Sequence, residues 1–150
     1  MIVLWKAIGP FGDVVAKALR GPIARRALER SIGELFGPRT QPSPDDLEWM
    51  WEVLAHNDGV RVTHKVGRFV LDRREHRNRW VRAMRATAVP MRLIDGPADP
   101  NSGRHMAERY RELVPNPDIV LLGDEIGHWP QLEDPEGLLE HYLEFAGTHS

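Results

Sequence analysis

The stretch Leu121-Leu-Gly-Asp-Glu-Ile-Gly-His-Trp-Pro-Gln-Leu-Glu-Asp-Pro135 decides the fold. Just before and into it, Ile119-Val-Leu-Leu122 is a short apolar run, β-branched at its start, which predicts a buried strand. The strand gives way to a loop in which Gly123 and Gly127 free the backbone to turn. His128 then stands just past the strand's C-terminal end, where open α/β sheets place their chemistry. Asp134 can cap a helix whose first residue is Pro135. Upstream, Val89-Pro-Met-Arg-Leu-Ile-Asp-Gly-Pro-Ala-Asp-Pro100 repeats the plan: a short apolar strand, then Gly96, then a carboxylate, Asp99, held between Ala98 and Pro100. Asp95, at the end of that strand, is the alternative acid. An acid and a histidine therefore each follow a strand, with one helix between them.

Outward from this pair the chain is helical. A helix is expected over residues 13–19, after a break at residues 8–12, and another from Gly21-Pro22 to about Phe36, with Ile23, Ala27, Ile32 and Leu35 on one face. Gly37 and Pro38 would stop it. Ser43 is an N-cap candidate, Pro44 fits the first helical position, and Asp45 and Asp46 suit the positive end of a helix dipole. The helix they open carries Leu47, Met50, Trp51 and Leu54 on one stripe, and Asn57-Asp-Gly59 ends it in a turn. Residues 60–71 read as helix or extended chain, because β-branched valines weaken the helical pattern. Residues 73–84 form an arginine-rich helix with Trp80, Val81 and Met84 as apolar contacts. Between the two strands a helix over residues 102–113 carries Met106, Tyr110 and Leu113. The last helix is expected to bury Leu138, Leu139, Tyr142, Leu143 and Phe145.

Composition narrows the classes. The 150 residues suffice for one domain with a core, and the formal net charge of −2 gives no global attraction to nucleic acid or anionic membrane. There is no cysteine, which excludes disulfides and thiol catalysis. No apolar run is long enough to span a bilayer, residues 1–8 are too short for a signal peptide, and a cytoplasmic location is the default expectation. From residue 61 to residue 92 the chain carries nine arginines and Lys65 against Asp72 and Glu75, while no Lys or Arg follows Arg111. With little aromatic interleaving, the arginine block reads as a solvated helix face rather than a nucleic-acid surface. The histidines at 56, 64, 76, 105, 141 and 149 show no metal-ligand spacing, and Asp99-Pro-Asn101-Ser-Gly103 lacks the register of a calcium loop, so neither metal nor other cofactor is expected.

Gly96-Pro-Ala-Asp99-Pro and Gly127-His128-Trp-Pro-Gln-Leu-Glu133-Asp-Pro135, in this order and with a helix between, resemble the C-terminal end of the α/β-hydrolase superfamily. In that family an acid follows one late strand and a histidine the next, and a helical cap precedes the acid-bearing strand. The helical front, with Phe36-Gly-Pro-Arg-Thr-Gln-Pro-Ser43, Met50-Trp51, Asn57-Asp-Gly59 and Arg79-Trp-Val81, resembles the cap of the epoxide-hydrolase and haloalkane-dehalogenase branch. The resemblance implies an α/β fold represented by its C-terminal part: residues 1–88 as a cap-like region and residues 89–150 as the closing β-α-β-α of the core. It implies His128 as general base, Asp99 as the acid that orients it, and Trp49, Trp51, Trp80 and Trp129 as candidate substrate-binding residues for a small molecule. The family's nucleophile motifs, G-x-S-x-G or H-D-x-G, are absent, as is its oxyanion loop. The expected function is hydrolysis of an ester, haloalkane or epoxide, with the nucleophile outside this chain and the chain inactive alone. The only tyrosines, Tyr110 and Tyr142, lie outside the cap-like region, which disfavours epoxide opening, where the branch uses cap tyrosines. The alternative is a non-catalytic remnant or interaction module. Two strands cannot cover both faces of a parallel sheet, so a missing N-terminal half, or self-association through the exposed sheet edge, is the expected partner.

Overall fold

Two four-residue strands, β1 (Arg92–Asp95) and β2 (Asp118–Leu121), pair in parallel with Arg92 opposite Asp118 and Asp95 opposite Leu121. The computed structural model describes residues 22–149, so the expected helix over residues 13–19, the break at residues 8–12 and the reading of residues 1–8 lie outside the described residues. Helices α1 (Pro22–Gly33), α2 (Pro44–Ala55), α3 (Thr63–Val66) and α4 (Phe69–Ala86) precede the strands. Helix α5 (Arg104–Leu113) connects the strands, and α6 (Pro130–Glu133) and α7 (Pro135–Thr148) follow. The chain divides into two compact units, one of Met1–Gly33 with Pro42–Arg77 and the other of Glu34–Gln41 with Asn78–Ser150.

In the first unit, α2 begins as its sequence dictates. The Ser43 hydroxyl accepts from the Asp46 backbone N–H, the Asp46 carboxylate accepts from the Ser43 N–H, and Pro44 stands at the first turn. Asn57 and Asp58 end that run in the left-handed region, at φ of 50° and 61°, inside a 3-10 turn over His56–Arg61. Asn and Asp tolerate this region better than other side chains. Residues 60–71, open between helix and extended chain in the sequence, are helical: α3 and the first turn of α4 lie there. Arg25 joins α1 to α2, with its guanidinium 6.0 Å from the Trp51 ring centroid and 3.9 Å from Glu48.

In the second unit, Arg92 fastens the N-terminal ends of both strands. It donates to Asp118 at 2.8 Å, to Glu144 at 2.7 Å and to the His141 carbonyl at 3.0 Å, and lies over the Phe145 ring. Those hydrogen bonds, to Asp118 first and then Glu144, push the Arg92 pKa up and keep it a cation. Helix α7 starts where its sequence sets it, with the Asp134 carboxylate accepting from the Gly137 N–H at 3.0 Å. Among the described residues, the buried apolar ones are Phe36, Ala107, Val114, Leu122 and Ile126, gathered around the strands' C-terminal ends and α5.

Two expectations are corrected. Helix α1 stops at Gly33 rather than Phe36, because residues 34–41 leave the helix and bond to the loop after β2. The last helix fully buries none of the five residues expected: Leu138 and Phe145 are half-buried, and Leu139, Tyr142 and Leu143 are 54%, 57% and 57% exposed. A sheet of two short strands offers too little surface to cover that face. Among the described residues no helix is long and apolar enough to cross a membrane.

Candidate functional site

Asp99 follows β1 in a tight turn. Its N–H donates to the Gly96 carbonyl at 3.1 Å, and its carbonyl accepts from Gly103 N–H at 3.1 Å. Its carboxylate accepts from the backbone N–H of Asn101 at 2.8 Å, from that of Ser102 at 3.0 Å, and from the Ser102 hydroxyl. This is the local bonding that Asp favours at turns. The neighbouring residue Ala98 donates to the Ile126 carbonyl at 2.8 Å, which ties the turn to the loop after β2.

His128 lies in that second loop, and its Nδ1 is 2.7 Å from Asp99 Oδ2 although the residues are 29 positions apart. Parallel pairing delivers both loops to one rim. The Asp99 side chain is 2% exposed and that of His128 36%, so the carboxylate is enclosed while the imidazole reaches solvent. With Nδ1–H given to the carboxylate, Nε2 carries the lone pair, the tautomer a proton acceptor needs. Burial pushes the Asp99 carboxyl up, but hydrogen bonds from His128, Ser102 and the Asn101 N–H outweigh it and hold the pKa below the usual value. The imidazole pairs with Asp99 rather than with Asp95, the alternative acid. Asp95 is buried, its Oδ2 has no hydrogen-bond partner, and burial followed by the nearby Asp99 charge raises its pKa to about 6.

The loop that carries His128 is gripped from two sides. The His128 N–H donates to the Leu35 carbonyl at 2.9 Å. The Glu133 carboxylate, in α6, accepts from Gly127 N–H at 2.8 Å, Trp129 N–H at 2.9 Å, Gly37 N–H at 2.8 Å and the Thr40 hydroxyl. Backbones meet so closely here that a Cβ on Gly127 would come within 2.5 Å of the Leu35 carbonyl oxygen, and one on Gly37 within 1.5 Å of the Glu125 carbonyl oxygen. Gly127 is thus required for close approach, not for a left-handed turn, since no described glycine has a positive φ. The part played by residues 34–41 has no local sequence signal, because its partners lie more than eighty residues away. Ser102 did carry a signal, a hydroxyl three residues after a turn aspartate.

Of the four candidate tryptophans, only Trp129 joins the pair. Its ring meets His128 edge-on at 5.4 Å and stacks on Phe36 at 6.2 Å, and its buried Nε1 has no partner. Trp49 and Trp51 belong to the first unit, Trp49 exposed and Trp51 under Arg25. Trp80 lies in α4 and is 39% exposed. Among the described residues no group of three or more His, Asp or Glu could hold a metal ion.

No family model matches the chain, and no solved structure matches it. The chain is 38% identical over 138 residues to the Mesoderm-specific transcript protein of Mus musculus, an alignment covering 91% of this chain and 41% of that protein. The Homo sapiens homolog gives the same identity and coverage. A Mycobacterium tuberculosis protein named "Putative hydrolase LipZ" is 31% identical over 134 residues, 89% of this chain and 45% of LipZ. The chain spans less than half the length of these curated relatives. Together with the parallel strand pair, the relatives suggest an α/β-hydrolase-related family.

Proposed function

We propose that this chain supplies the cap, the orienting acid and the general base of an α/β-hydrolase of the epoxide-hydrolase and haloalkane-dehalogenase branch. The observation that carries the reading is the 2.7 Å contact between Asp99 and the Nδ1 of His128, with the carboxylate buried and the imidazole open. In this role His128 Nε2 takes a proton from the attacking hydroxyl or water, and the imidazolium that results is stabilised by the Asp99 carboxylate. Residues 1–88 act as the cap-like region and residues 89–150 as the closing β-α-β-α of the core. The nucleophile and oxyanion donors come from outside these residues, whose sequence holds neither family nucleophile motif. The substrate is a small ester or haloalkane, with an epoxide disfavoured by the placement of Tyr110 and Tyr142. Trp129 beside His128 is the best placed of the candidate substrate contacts.

The test is a graft. LipZ is 31% identical to this chain over the matched residues, so the chain can replace LipZ's matching segment in a single polypeptide. Esters of p-nitrophenol, 1-haloalkanes and epoxides are assayed against LipZ itself. The graft should turn over at least one class that LipZ hydrolyses, and His128→Ala should lower kcat/KM by at least about a thousandfold. A folded graft that is silent on substrates LipZ hydrolyses, or activity that survives His128→Ala, overturns the reading.

A further inference from the structure

We propose that Glu133 is a positioning residue for His128, acting through the two peptide groups that flank it. The inference rests on the reading of His128 as the base and adds a group that never touches the reacting atoms. The Glu133 carboxylate takes the N–H of Gly127 on one side of His128 and that of Trp129 on the other. The same carboxylate takes Gly37 N–H and the Thr40 hydroxyl, and the segment bearing them supplies the Leu35 carbonyl that receives the N–H of His128 itself. Three consecutive peptide N–H groups, 127 to 129, are therefore fixed by one carboxylate and one carbonyl. Only a full carboxylate can do this. Its oxygens accept from four donors, three of them on Oε2, whereas an amide would turn its own NH2 toward N–H groups. With the backbone so held, the ring's remaining freedom is limited by Asp99 at Nδ1 and by the perpendicular contact with the Trp129 ring.

The experiment uses the whole 150-residue chain and reads the histidine directly. A proton shared between an imidazole nitrogen and a buried carboxylate resonates far downfield, and the signal is assigned to His128 by its loss in His128→Gln. In Glu133→Gln that resonance should broaden into the baseline at neutral pH, and the amides of Gly127 and Trp129 should exchange with solvent at least about tenfold faster. Glu136→Gln, in the first turn of α7, should change neither. In the graft described above, Glu133→Gln should lower kcat by about ten- to a hundredfold with KM nearly unchanged, the pattern of a displaced base, and Glu133→Asp should recover part of it. A folded Glu133→Gln chain whose downfield resonance is unchanged overturns the proposal, whether or not the two amides exchange faster. Should Glu133→Gln fail to fold, Thr40→Val decides, since it removes one donor: a shifted or broadened resonance supports the proposal and an unchanged one overturns it. These outcomes are separate from those of the hydrolase reading, because the resonance responds to Glu133 whether or not the graft turns over substrate.

Discussion

The rim of the strands and the outer face of α7 belong to one compact unit and are built on opposite terms. At the rim, the carboxylates of Asp99 and Glu133 and the Nδ1 of His128 are paired, and backbones touch at Gly37 and Gly127. On α7, Leu139, Tyr142 and Leu143 form an i, i+3, i+4 patch that stays more than half exposed. The difference shows that hydrogen bonds between loops can specify a site without a large core beneath it. Apolar cover is another matter: it needs area, and two four-residue strands supply little.

If that contrast is right, the rim is intolerant and the face indifferent. Gly37→Ala places a Cβ against the Glu125 carbonyl and should destabilise the chain by about 3 kcal/mol or more. Leu143→Ala should stay within about 0.5 kcal/mol. Urea unfolding of both variants measures the pair, and equal losses would erase the distinction.

Next in size is a test inside the rim, where two carboxylates four residues apart are shifted in opposite senses. The Asp95 pKa is raised from 3.8 to about 6, so the folded chain holds an extra proton between those values. Stability therefore falls as pH rises through that window and stays lower above it. Asp95→Asn should flatten the slope and stabilise the chain at pH 7 by up to about 3 kcal/mol. Asp99 is shifted down, so its contribution is present above the unfolded-state value and is lost as pH falls through the lower folded one. Asp99→Asn should destabilise at pH 7. Urea midpoints from pH 4 to 7.5 that move in the same direction for both variants would contradict the assignment.

The smallest effect on stability, and the sharpest probe of the face, is the pair Leu139→Lys with Leu143→Glu. Folding should be nearly unchanged while self-association at high concentration, read by sedimentation, and binding of a hydrophobic dye both fall. A wild-type chain that is monomeric throughout and binds no dye would show that this face needs no cover.

Much of this was legible in the sequence, and what was not has a common cause. Strand β2 falls one residue earlier than the apolar run suggests, and α7 begins at Pro135, since Asp134 and Pro135 are local signals that tertiary structure did not override. The Ser43 cap and the Asn57-Asp58 bend were readable for the same reason, although the return bond from Ser43 N–H to Asp46 was not anticipated. The end of α1 was not. Ile32 and Leu35 continue the helical period past Gly33, but the peptide groups of Leu35 and Gly37 are taken by residues near His128. The site's supports were hidden likewise: a carbonyl at Leu35 and N–H groups at Gly127 and Trp129 are backbone atoms, which no side-chain pattern encodes. The burial expected for α7 followed from periodicity alone, which fixes a face but not what lies opposite it.

The bond from Gly37 to Glu133 also differs from its neighbours in what it costs the chain to close. It closes a loop of 96 residues, whereas the Arg92–Asp118 clasp across the strand pair closes only 26. The longer closure costs about 1 kcal/mol more chain entropy, by the logarithmic dependence on loop length. The strand pair and its connecting helix can therefore form from nearby sequence at lower entropic cost. The Asp99–His128 contact spans only 29 positions and shares that local economy, whereas the grip on the loop around His128 is complete only when residue 37 returns from far along the polymer.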